Sequence, residues 1–339
     1  MTEDKTLVPS ASDIQAASAA LRGVVVETPL VSAPALAEAT GAASVLVKLE
    51  TFQKTGSFKF RGAYWRCTQL SEAERAAGVV AYSSGNFAQG LAAAAQALGV
   101  PATIVMPIDA PETKRRKTEA FGAKIVQTEH GDRPREEVAS ETAKAIARDD
   151  GMTLLHPFDD PGIIAGHSSI AAEVAAACEA QGSPLPGKVV TCVGGGGLLA
   201  GLAVGFNALS PDIQVVPVEP VGYDSFGQSV RAGEIVTLAG GAPTICDALQ
   251  ATAPGRAPFA CAQAVGVGEP IAVSDEEVRA AMRLAFETLK IVTEPSGAVP
   301  LAAVLQQAAR FKGQTVLVMA SGANIAPERF WECVGASAA

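Results

Sequence analysis

The chain has 339 residues, of which 48% are hydrophobic, 18% are charged and 5% are aromatic, and its formal net charge is −9. A chain of this length buries roughly 75% of its unfolded surface and usually forms two domains. Its core must be built from small aliphatic side chains, because aromatic residues are few. The acidic balance argues against nucleic-acid binding, and the one basic cluster, 114–117, is interpreted as a solvated helix face.

Cysteine usage and hydropathy bear on the compartment. The six cysteines are scattered without a CxxC pair, which favours buried free thiols in a reducing compartment. The N-terminal sequence MTEDKTLVPSASD is acidic and polar, so no signal peptide is predicted. The stretch 189–206 has 18 residues without a charge, but its four consecutive glycines argue against a membrane-spanning helix. We therefore expect a cytoplasmic protein without a membrane partner.

Short valine-rich segments alternate with helical segments along nearly the whole chain. The strand-like segments are 44–50, 78–84, 102–106, 123–127, 188–193, 213–219 and 314–321. The helical segments include 86–98, 111–121, 133–148, 162–181 and 275–290, and Ser274 to Glu277 has the spacing of a capping box. The stretch 235–262, rich in Gly, Ala and Pro, is predicted to be irregular. This alternation predicts an α/β protein with parallel sheets and helical crossovers.

Lys59 occupies an unusual position in the motif GSFKFRGAY, residues 56–64. Gly56 and Ser57 are typical of a turn and a helix N-cap, which places Lys59 in the first helical turn between two phenylalanines. The helix dipole and the apolar neighbours both favour a neutral amine, and a neutral amine is a nucleophile. The alternative is an ordinary lysine whose amine reaches solvent.

Two strand-to-helix turns are suited to bind anions, and ligands of parallel sheets bind at such turns. The glycine run 194–197 brings backbone N–H groups together at a helix start and suits a phosphate. The segment SSGNF, 83–87, adds Ser83, Ser84 and Asn86 to a second such turn and suits a carboxylate. The alternative for the second turn is an ordinary helix cap by Ser84.

The glycine run also admits a dinucleotide interpretation. Gly195, Gly197 and Ala200 fit a GxGxxA pattern. Glu219 ends the next strand about 20 residues later, where an acid that binds ribose is expected. A poised lysine beside two anion sites favours a different cofactor, because a phosphorylated aldehyde bound to Lys59 beside an amino-acid carboxylate is pyridoxal 5′-phosphate chemistry.

Seven motifs resemble, in one order, those of the fold-type II pyridoxal-phosphate enzymes of the serine/threonine dehydratase and serine racemase family. They are GSFKFRGA, SSGN, HPFDD, GGGGLLAG, VEP, TEPSGA and SGAN, and the match runs from about residue 8 to about 325. The resemblance implies an α/β fold like that of the tryptophan synthase β subunit, with two open, twisted, mostly parallel sheets and helices on both faces. It implies a large cofactor-binding domain of 1–51 and 150–339, a smaller inserted domain of 52–149, and a homodimer or larger homo-oligomer.

The resemblance also implies a role for each matching residue. Lys59 is expected to bind the cofactor aldehyde and to act as catalytic base, with Ser84 as a second catalytic residue. The expected cofactor-binding residues are Phe58 against the ring, Asn86 at its phenolic oxygen, Ser321 at its pyridine nitrogen, and Gly194, Gly195, Gly196 and Gly197 at its phosphate. The expected substrate-binding residues are Ser83, Ser84, Gly85, Asn86 and Phe87.

Some positions depart from the family pattern. Family members usually have a histidine at the position of Phe87, and the usual AGQGT reads AGHSS here, with His167. Glu219 matches a metal-binding glutamate of the racemases, but the aspartate expected six residues later is Ser225, with Asp224 one position away. A divalent ion is therefore not expected, whereas Glu219 and nearby carbonyls are a candidate site for a monovalent cation such as K⁺.

The expected reaction is β-elimination of water from a β-hydroxy-α-amino acid, which yields a 2-oxo acid and ammonia. Phe87 should make the pocket apolar, which favours threonine or a bulkier substrate such as phenylserine over serine. His167 would instead favour an acidic side chain, as in hydroxyaspartate, although a core histidine bonded to the backbone fits that position equally well. A serine racemase is the enzymatic alternative, and an inactive amino-acid sensor is the non-enzymatic one.

Overall fold

The chain folds around two β-sheets. In the computed structural model, which describes residues 7–110, 112–133, 135–240 and 243–335, the strands are β1 (Leu30–Ser32), β2 (Ser44–Leu49), β3 (Val79–Tyr82), β4 (Ala102–Pro107), β5 (Lys124–Thr128), β6 (Thr153–Leu154), β7 (Lys188–Cys192), β8 (Gln214–Pro220), β9 (Ile271–Val273) and β10 (Thr315–Ala320). One sheet has six strands in the order β1-β2-β10-β7-β8-β9, and the other has four in the order β5-β4-β3-β6. Apart from the antiparallel pair β1–β2, neighbouring strands run parallel.

The helices fill the connections that parallel strands require. They are α1 (Ala11–Leu21), α2 (Pro34–Thr40), α3 (Lys59–Thr68), α4 (Glu72–Ala77), α5 (Asn86–Leu98), α6 (Glu112–Glu119), α7 (Arg135–Asp149), α8 (Pro161–Gln181), α9 (Gly197–Leu209), α10 (Ser225–Ala232), α11 (Arg256–Val265), α12 (Asp275–Leu284), α13 (Pro295–Gln306) and α14 (Pro327–Gly335). A π-helical turn, Ala285–Leu289, extends α12. Within the described ranges, every helix is too short or too polar to cross a membrane. The predicted α/β fold class, with two mostly parallel sheets, is confirmed.

Each sheet has its own hydrophobic core. The valine-rich strands β2, β7 and β10 are buried over most of their length, as expected for parallel strands covered on both faces. Strand β6 pairs with β3 in the four-stranded sheet, although it lies beyond the predicted inserted domain of 52–149. The division into a large and a small domain stays a prediction.

Two local predictions are wrong. The stretch 235–262 is not irregular throughout, because α11 begins at Arg256. Ser57 is not the N-cap of α3; Phe58 occupies that position, and no side chain caps the helix. The reason is a long-range contact, since Ser57 is extended and forms a β-bridge with Gly322 beyond the end of β10. The predicted capping box is confirmed, with the Glu277 N–H donating to Ser274 Oγ and the Ser274 N–H to Glu277 Oε2.

Helix α3, which begins with Lys59, packs very closely against α8. A Cβ atom at Gly166 would lie 2.6 Å from the Cα atom of Gly62, so only glycine permits this approach. Beside this contact the buried Arg61 donates from Nε to Glu50 Oε2 at 2.8 Å and from Nη1 to Glu173 Oε1 at 2.6 Å. Because breaking a buried ion pair costs about 3–5 kcal/mol, these contacts fix the start of α3.

Candidate active site

The four sequence motifs expected to form the site meet in one cavity of roughly 490 Å³. Its wall includes all of the predicted cofactor-binding and substrate-binding residues: Phe58, Lys59, Ser83, Ser84, Gly85, Asn86, Phe87, Gly194, Gly195, Gly196, Gly197 and Ser321. The segments 83–87 and 194–197 each follow a strand and open a helix, so the cavity lies at the carboxyl ends of strands in both sheets. The predicted cation ligand Glu219 does not line it.

Lys59 is the first residue of α3, and its amine lies in the cavity wall. Nζ donates a hydrogen bond of 2.8 Å to the carbonyl oxygen of Pro157. It also lies 5.1 Å from the ring centroid of Phe58 and 5.7 Å from that of Phe87. Burial lowers the pKa of Lys59 to about 8. A substantial fraction of the amine is therefore neutral near physiological pH, as a nucleophile or base requires.

The two predicted anion sites are helix starts without a side-chain cap. Helix α9 has Gly196 at its N-cap, with φ of 97°, and α5 has Gly85 there, so neither N-cap residue has a side chain that could accept from the first turn. The N–H of Gly85 itself donates to Ser83 Oγ at 3.2 Å. The alternative of a cap by Ser84 is therefore wrong. The first N–H groups of a helix have no partner within the helix, so both ends present donors to the cavity that they line.

The glycine run leaves no room for side chains. A Cβ atom at Gly195 would lie 2.2 Å from the ring of Phe158, and one at Gly197 would lie 2.9 Å from the Cβ atom of Phe158. Phe158 thus packs directly against the backbone of the run. The absence of side chains also lets a ligand approach the backbone N–H groups closely, which suits a phosphate.

Ser321 lies directly after β10, where its hydroxyl oxygen is 3.3 Å from the sulfur of Cys192 at the end of β7. Burial raises the pKa of the Cys192 thiol to about 11, so this neighbour is neutral. The pair therefore offers neutral hydrogen-bonding groups and no carboxylate. Sequence analysis missed Cys192, because only the pairing of β7 with β10 brings it beside Ser321.

Asn86 is held by two residues that the motifs contain but to which no role was assigned. Its Nδ2 donates to Glu294 Oε1 at 2.6 Å, and its Oδ1 accepts from Asn324 Nδ2 at 2.8 Å. These bonds assign the orientation of the Asn86 amide. Burial, together with the nearby Asp247 carboxylate, raises the pKa of Glu294 to about 7. A carboxyl group that titrates near neutrality thus lies beside the predicted cofactor contact.

Glu219 and His167 have structural roles outside the cavity. Glu219 accepts the N–H groups of Phe226 and Gly227 at 2.8 and 2.7 Å and so caps α10; burial raises its pKa to about 8. His167 is buried against Phe58, its Nδ1 is 3.3 Å from the Gly197 carbonyl oxygen, and burial lowers its pKa to about 3. Of the two alternatives for His167, the core histidine bonded to the backbone is therefore confirmed and the substrate contact is wrong. No group of three or more His, Cys, Asp or Glu side chains in the described ranges is arranged to hold a metal, and the cation at Glu219 stays a prediction.

The donor set of the cavity defines a class of enzyme. An amine of lowered pKa can bind an aldehyde, an uncapped glycine-rich helix start can hold a phosphate, and a neutral hydroxyl can bond a ring nitrogen. These groups fit pyridoxal 5′-phosphate, an aldehyde with a phosphate and a pyridine nitrogen. The fold and the cavity thus indicate a cofactor-dependent enzyme that acts on amines.

Comparison with known proteins places the chain in a family. The family model of the pyridoxal-phosphate dependent enzymes matches residues 21–322, so the chain belongs to this family. It is similar to an L-threonine ammonia-lyase of Thermotoga maritima, with 40% identity over 313 residues that cover 92% of this chain and 75% of the relative. It is also similar to an L-threo-3-hydroxyaspartate ammonia-lyase of a Pseudomonas species, with 39% identity over 318 residues that cover 94% of this chain and 96% of the relative.

A solved structure agrees with the sequence relatives. The structure of maize serine racemase matches with a TM-score of 0.87 and 31% identity, covering 96% of each chain. The predicted family is confirmed, and membership in it removes the dinucleotide interpretation of the glycine run. The protein is a pyridoxal-phosphate dependent enzyme of the group that contains these ammonia-lyases and racemases.

Proposed function

We propose that the protein is an ammonia-lyase that eliminates water from a β-hydroxy-α-amino acid, with threonine or serine as substrate, to give a 2-oxo acid and ammonia. The observation that carries the proposal is the place of Lys59, whose amine lines the same cavity as the glycine run and the segment 83–87. The names of the two ammonia-lyase relatives support the reaction.

Pyridoxal phosphate, when bound, supplies an aldehyde for the substrate amine and an electron sink for the charge that develops at Cα. Gly194–Gly197 would hold its phosphate, and Phe58 would pack against its ring. Ser321 would face the pyridine nitrogen and Asn86 the phenolic oxygen. A serine hydroxyl is too weak an acid to give its proton to a pyridine nitrogen, so Ser321 would donate a hydrogen bond to that nitrogen without protonating it.

Lys59 would act as the general base when its amine is free. Its neutral amine removes the Cα proton, and the Pro157 carbonyl orients that amine at 2.8 Å. The uncapped start of α5, with Ser83 and Ser84, holds the substrate carboxylate and so fixes Cα beside Lys59. The reaction then needs no second acid at Cα, in contrast to racemisation.

The cavity wall bears on the choice of substrate. Phe87 is 2% exposed and lines the cavity, so it favours the methyl group of threonine over a polar β-substituent. Hydroxyaspartate is the second candidate, because Lys114 and Arg135 line the same cavity and would attract a second carboxylate. Both cations already have acidic partners, Asp247 at 2.7 Å and Asp109 at 3.3 Å, so threonine is preferred.

The test is a side-by-side assay of serine, threonine, phenylserine and 3-hydroxyaspartate, with 2-oxo acid release and chiral analysis of the recovered substrate. We expect threonine to have the highest kcat/KM. Inversion of serine faster than deamination of every substrate would replace the proposal by a racemase. No turnover of any of the four would favour an amino-acid sensor.

The remaining predictions from the sequence are a K⁺ ion at Glu219, a homodimer or larger homo-oligomer, and a cytoplasmic location. EDTA should leave most activity, because hard divalent coordination at Glu219 is short of a ligand. Potassium should raise activity above that in a sodium-free buffer whose cation does not coordinate. Complete loss with EDTA that magnesium restores would contradict this expectation, and sedimentation analysis tests the oligomer.

A further inference from the structure

The motif HPFDD, 156–160, begins where β6 has ended, and the sheet register places its histidine opposite β3. Val79 pairs with Thr153 and Val80 with Leu154, an offset of 74 residues. The same offset brings Tyr82, the last residue of β3, opposite His156. Their side chains meet there, with 3.0 Å between Tyr82 Oη and His156 Nε2.

The hydrogen bonds of His156 fix its tautomer. Nδ1 accepts the backbone N–H groups of Asp159 at 2.9 Å and Phe158 at 3.4 Å. Nδ1 therefore carries no proton, and Nε2–H donates to the Tyr82 hydroxyl oxygen. A neutral ring agrees with the surroundings of His156, because burial is the largest cause that keeps its pKa below the usual value. Lys59 and Lys144 lower this pKa further, and Asp159 and Asp160 raise it.

The two ends of this bond each adjoin a part of the active site. His156 directly precedes Pro157, whose carbonyl accepts the hydrogen bond from Lys59 Nζ. Tyr82 directly precedes the segment 83–87, which is the proposed carboxylate site, and it lines the same cavity. The His156–Tyr82 hydrogen bond thus joins the carbonyl that holds the base to the turn that holds the substrate.

We infer that His156 and Tyr82 are a pair of positioning residues that set the place of the freed Lys59 amine relative to Cα of the bound amino acid. The inference rests on the proposed function, in which Lys59 removes the Cα proton after the substrate has displaced it. The pair acts through the Pro157 carbonyl and needs no contact of its own with the reacting atoms. Its contribution should be greatest in proton removal, since that step depends on the distance between the base and Cα.

Two variants break the bond from opposite sides. Tyr82→Phe removes the hydroxyl and keeps the ring. His156→Asn keeps an oxygen near the position of Nδ1 that can accept the N–H groups of Phe158 and Asp159. The shorter asparagine side chain does not reach the Tyr82 hydroxyl. Each should lower kcat by roughly tenfold or more with a smaller change in KM, because misplacing a reacting group costs rate. The double variant should be no slower than the slower single one, since both remove the same contact.

The readout that separates positioning from folding is the Cα proton. With substrate deuterated at Cα, the isotope effect on kcat should rise in both variants as proton removal becomes more rate-limiting. Ser140→Ala is the matched control, because Ser140 also interacts with Tyr82 and lowers its pKa but adjoins neither Pro157 nor the segment 83–87, and it should keep the wild-type kcat and isotope effect. Lower thermal stability with an unchanged kcat and isotope effect, or additive losses in the double variant, would overturn the inference.

The result that would remove the proposed function differs from the results that would overturn the positioning role. A wild-type enzyme that releases no 2-oxo acid from any hydroxy amino acid removes the ammonia-lyase proposal. The positioning role is then tested by the rate at which recovered substrate takes up solvent deuterium at Cα, which a racemase also requires. Equal uptake in wild type and both variants would overturn the inference in that case as well.

Discussion

Helix starts away from the cavity differ from those that form it. Helices α1, α4 and α12 each begin with a serine in a complete capping box, at Ser10, Ser71 and Ser274. Helices α3, α5 and α9, which begin at the cavity wall, have no side-chain cap at all. Because a missing cap costs about 1 kcal/mol, the molecule gives up stability where its N–H groups are needed for ligands.

Two further helices fall between these groups. The start of α10 is capped from a distance by Glu219, and that of α11 by Asp159, which accepts the Ala257 N–H at 2.7 Å. Carboxylates from distant segments thus accept the N–H groups at these two helix starts, which bind no ligand in the proposed mechanism. Helix α2 also begins without a side-chain cap and lies away from the cavity wall, so an uncapped start alone does not mark a ligand site. The starts of α3, α5 and α9 are distinguished by the one cavity that they share.

The largest effect should come from Lys59→Ala, which removes the amine at the start of α3. Elimination should fall by roughly a thousandfold or more, because both the covalent link and the base are lost. Borohydride reduction and peptide mapping should find the cofactor on Lys59 in the wild type and on no lysine in the variant. Lys54→Ala is the matched control, because Lys54 is exposed and lies five residues earlier. Cofactor on another lysine of the wild type would contradict the assignment.

Filling the uncapped start of α9 should have the next largest effect. In Gly195→Ala the new Cβ would meet the Phe158 ring at 2.2 Å, so the ring or the backbone must move. Overpacking of this kind costs about 1–3 kcal/mol of conformational free energy. We expect the displaced glycine run to hold the cofactor phosphate less well, so cofactor affinity should fall by roughly ten- to a hundredfold. A cofactor titration measures it, with Gly187→Ala as control, because its nearest neighbour would be 3.9 Å away. Equal affinity in both variants would mean that the run does not hold the cofactor.

The start of α3 differs from the starts of α5 and α9 because it carries a titratable residue, Lys59, so kcat should depend on pH. Its lysine has a pKa lowered from 10.5 to about 8, so the amine is neutral above that pH and protonated below it. The proposed base acts only when neutral, so kcat should rise about tenfold per pH unit below pH 8 and level off above it. A pH profile of kcat at saturating threonine measures this limb. A flat profile from pH 6 to 8 would contradict the proposed role.

The smallest expected effect is a difference in the free energy of unfolding between the variants Ser274→Ala and Ser84→Ala. Ser274→Ala removes a true cap and should lower the free energy of unfolding by about 1 kcal/mol, as measured by urea denaturation. Ser84→Ala should leave that free energy unchanged, because Ser84 caps no helix. It should instead abolish any residual racemisation of serine and reduce elimination much less. A stability loss in Ser84→Ala equal to that in Ser274→Ala would remove the distinction.

Local sequence predicts the elements whose causes are local. The valine-rich strands, the helix that starts at Asn86 and the capping box at Ser274 were all predicted, because their patterns lie within a few residues. The position of Lys59 in the first turn of α3 was predicted for the same reason. The predicted cap of α3 was wrong, because the bridge of Ser57 to Gly322 depends on a strand that ends 263 residues after Ser57.

The parts that were missed depend on pairing between distant segments. Cys192 meets Ser321, Glu294 meets Asn86, and His156 meets Tyr82 only after the sheets have formed. Nothing within a few residues of these side chains specifies their partners. His167 shows the converse, since its sequence fitted both a substrate contact and a core histidine, and only its burial beside α3 decides for the core.

Strand β10 lies between β2 and β7 in the middle of the six-stranded sheet, and the carbonyl of Ser321 accepts the N–H of Phe58 at 3.2 Å. The residue before the proposed catalytic lysine is therefore anchored by a residue that is synthesised 263 positions after it. A nascent chain that has not yet extruded residues 315–322 lacks the central strand of this sheet and the anchor of α3. The proposed site can therefore form only after residue 322 has been synthesised, and until then the earlier segments depend on protection from premature association.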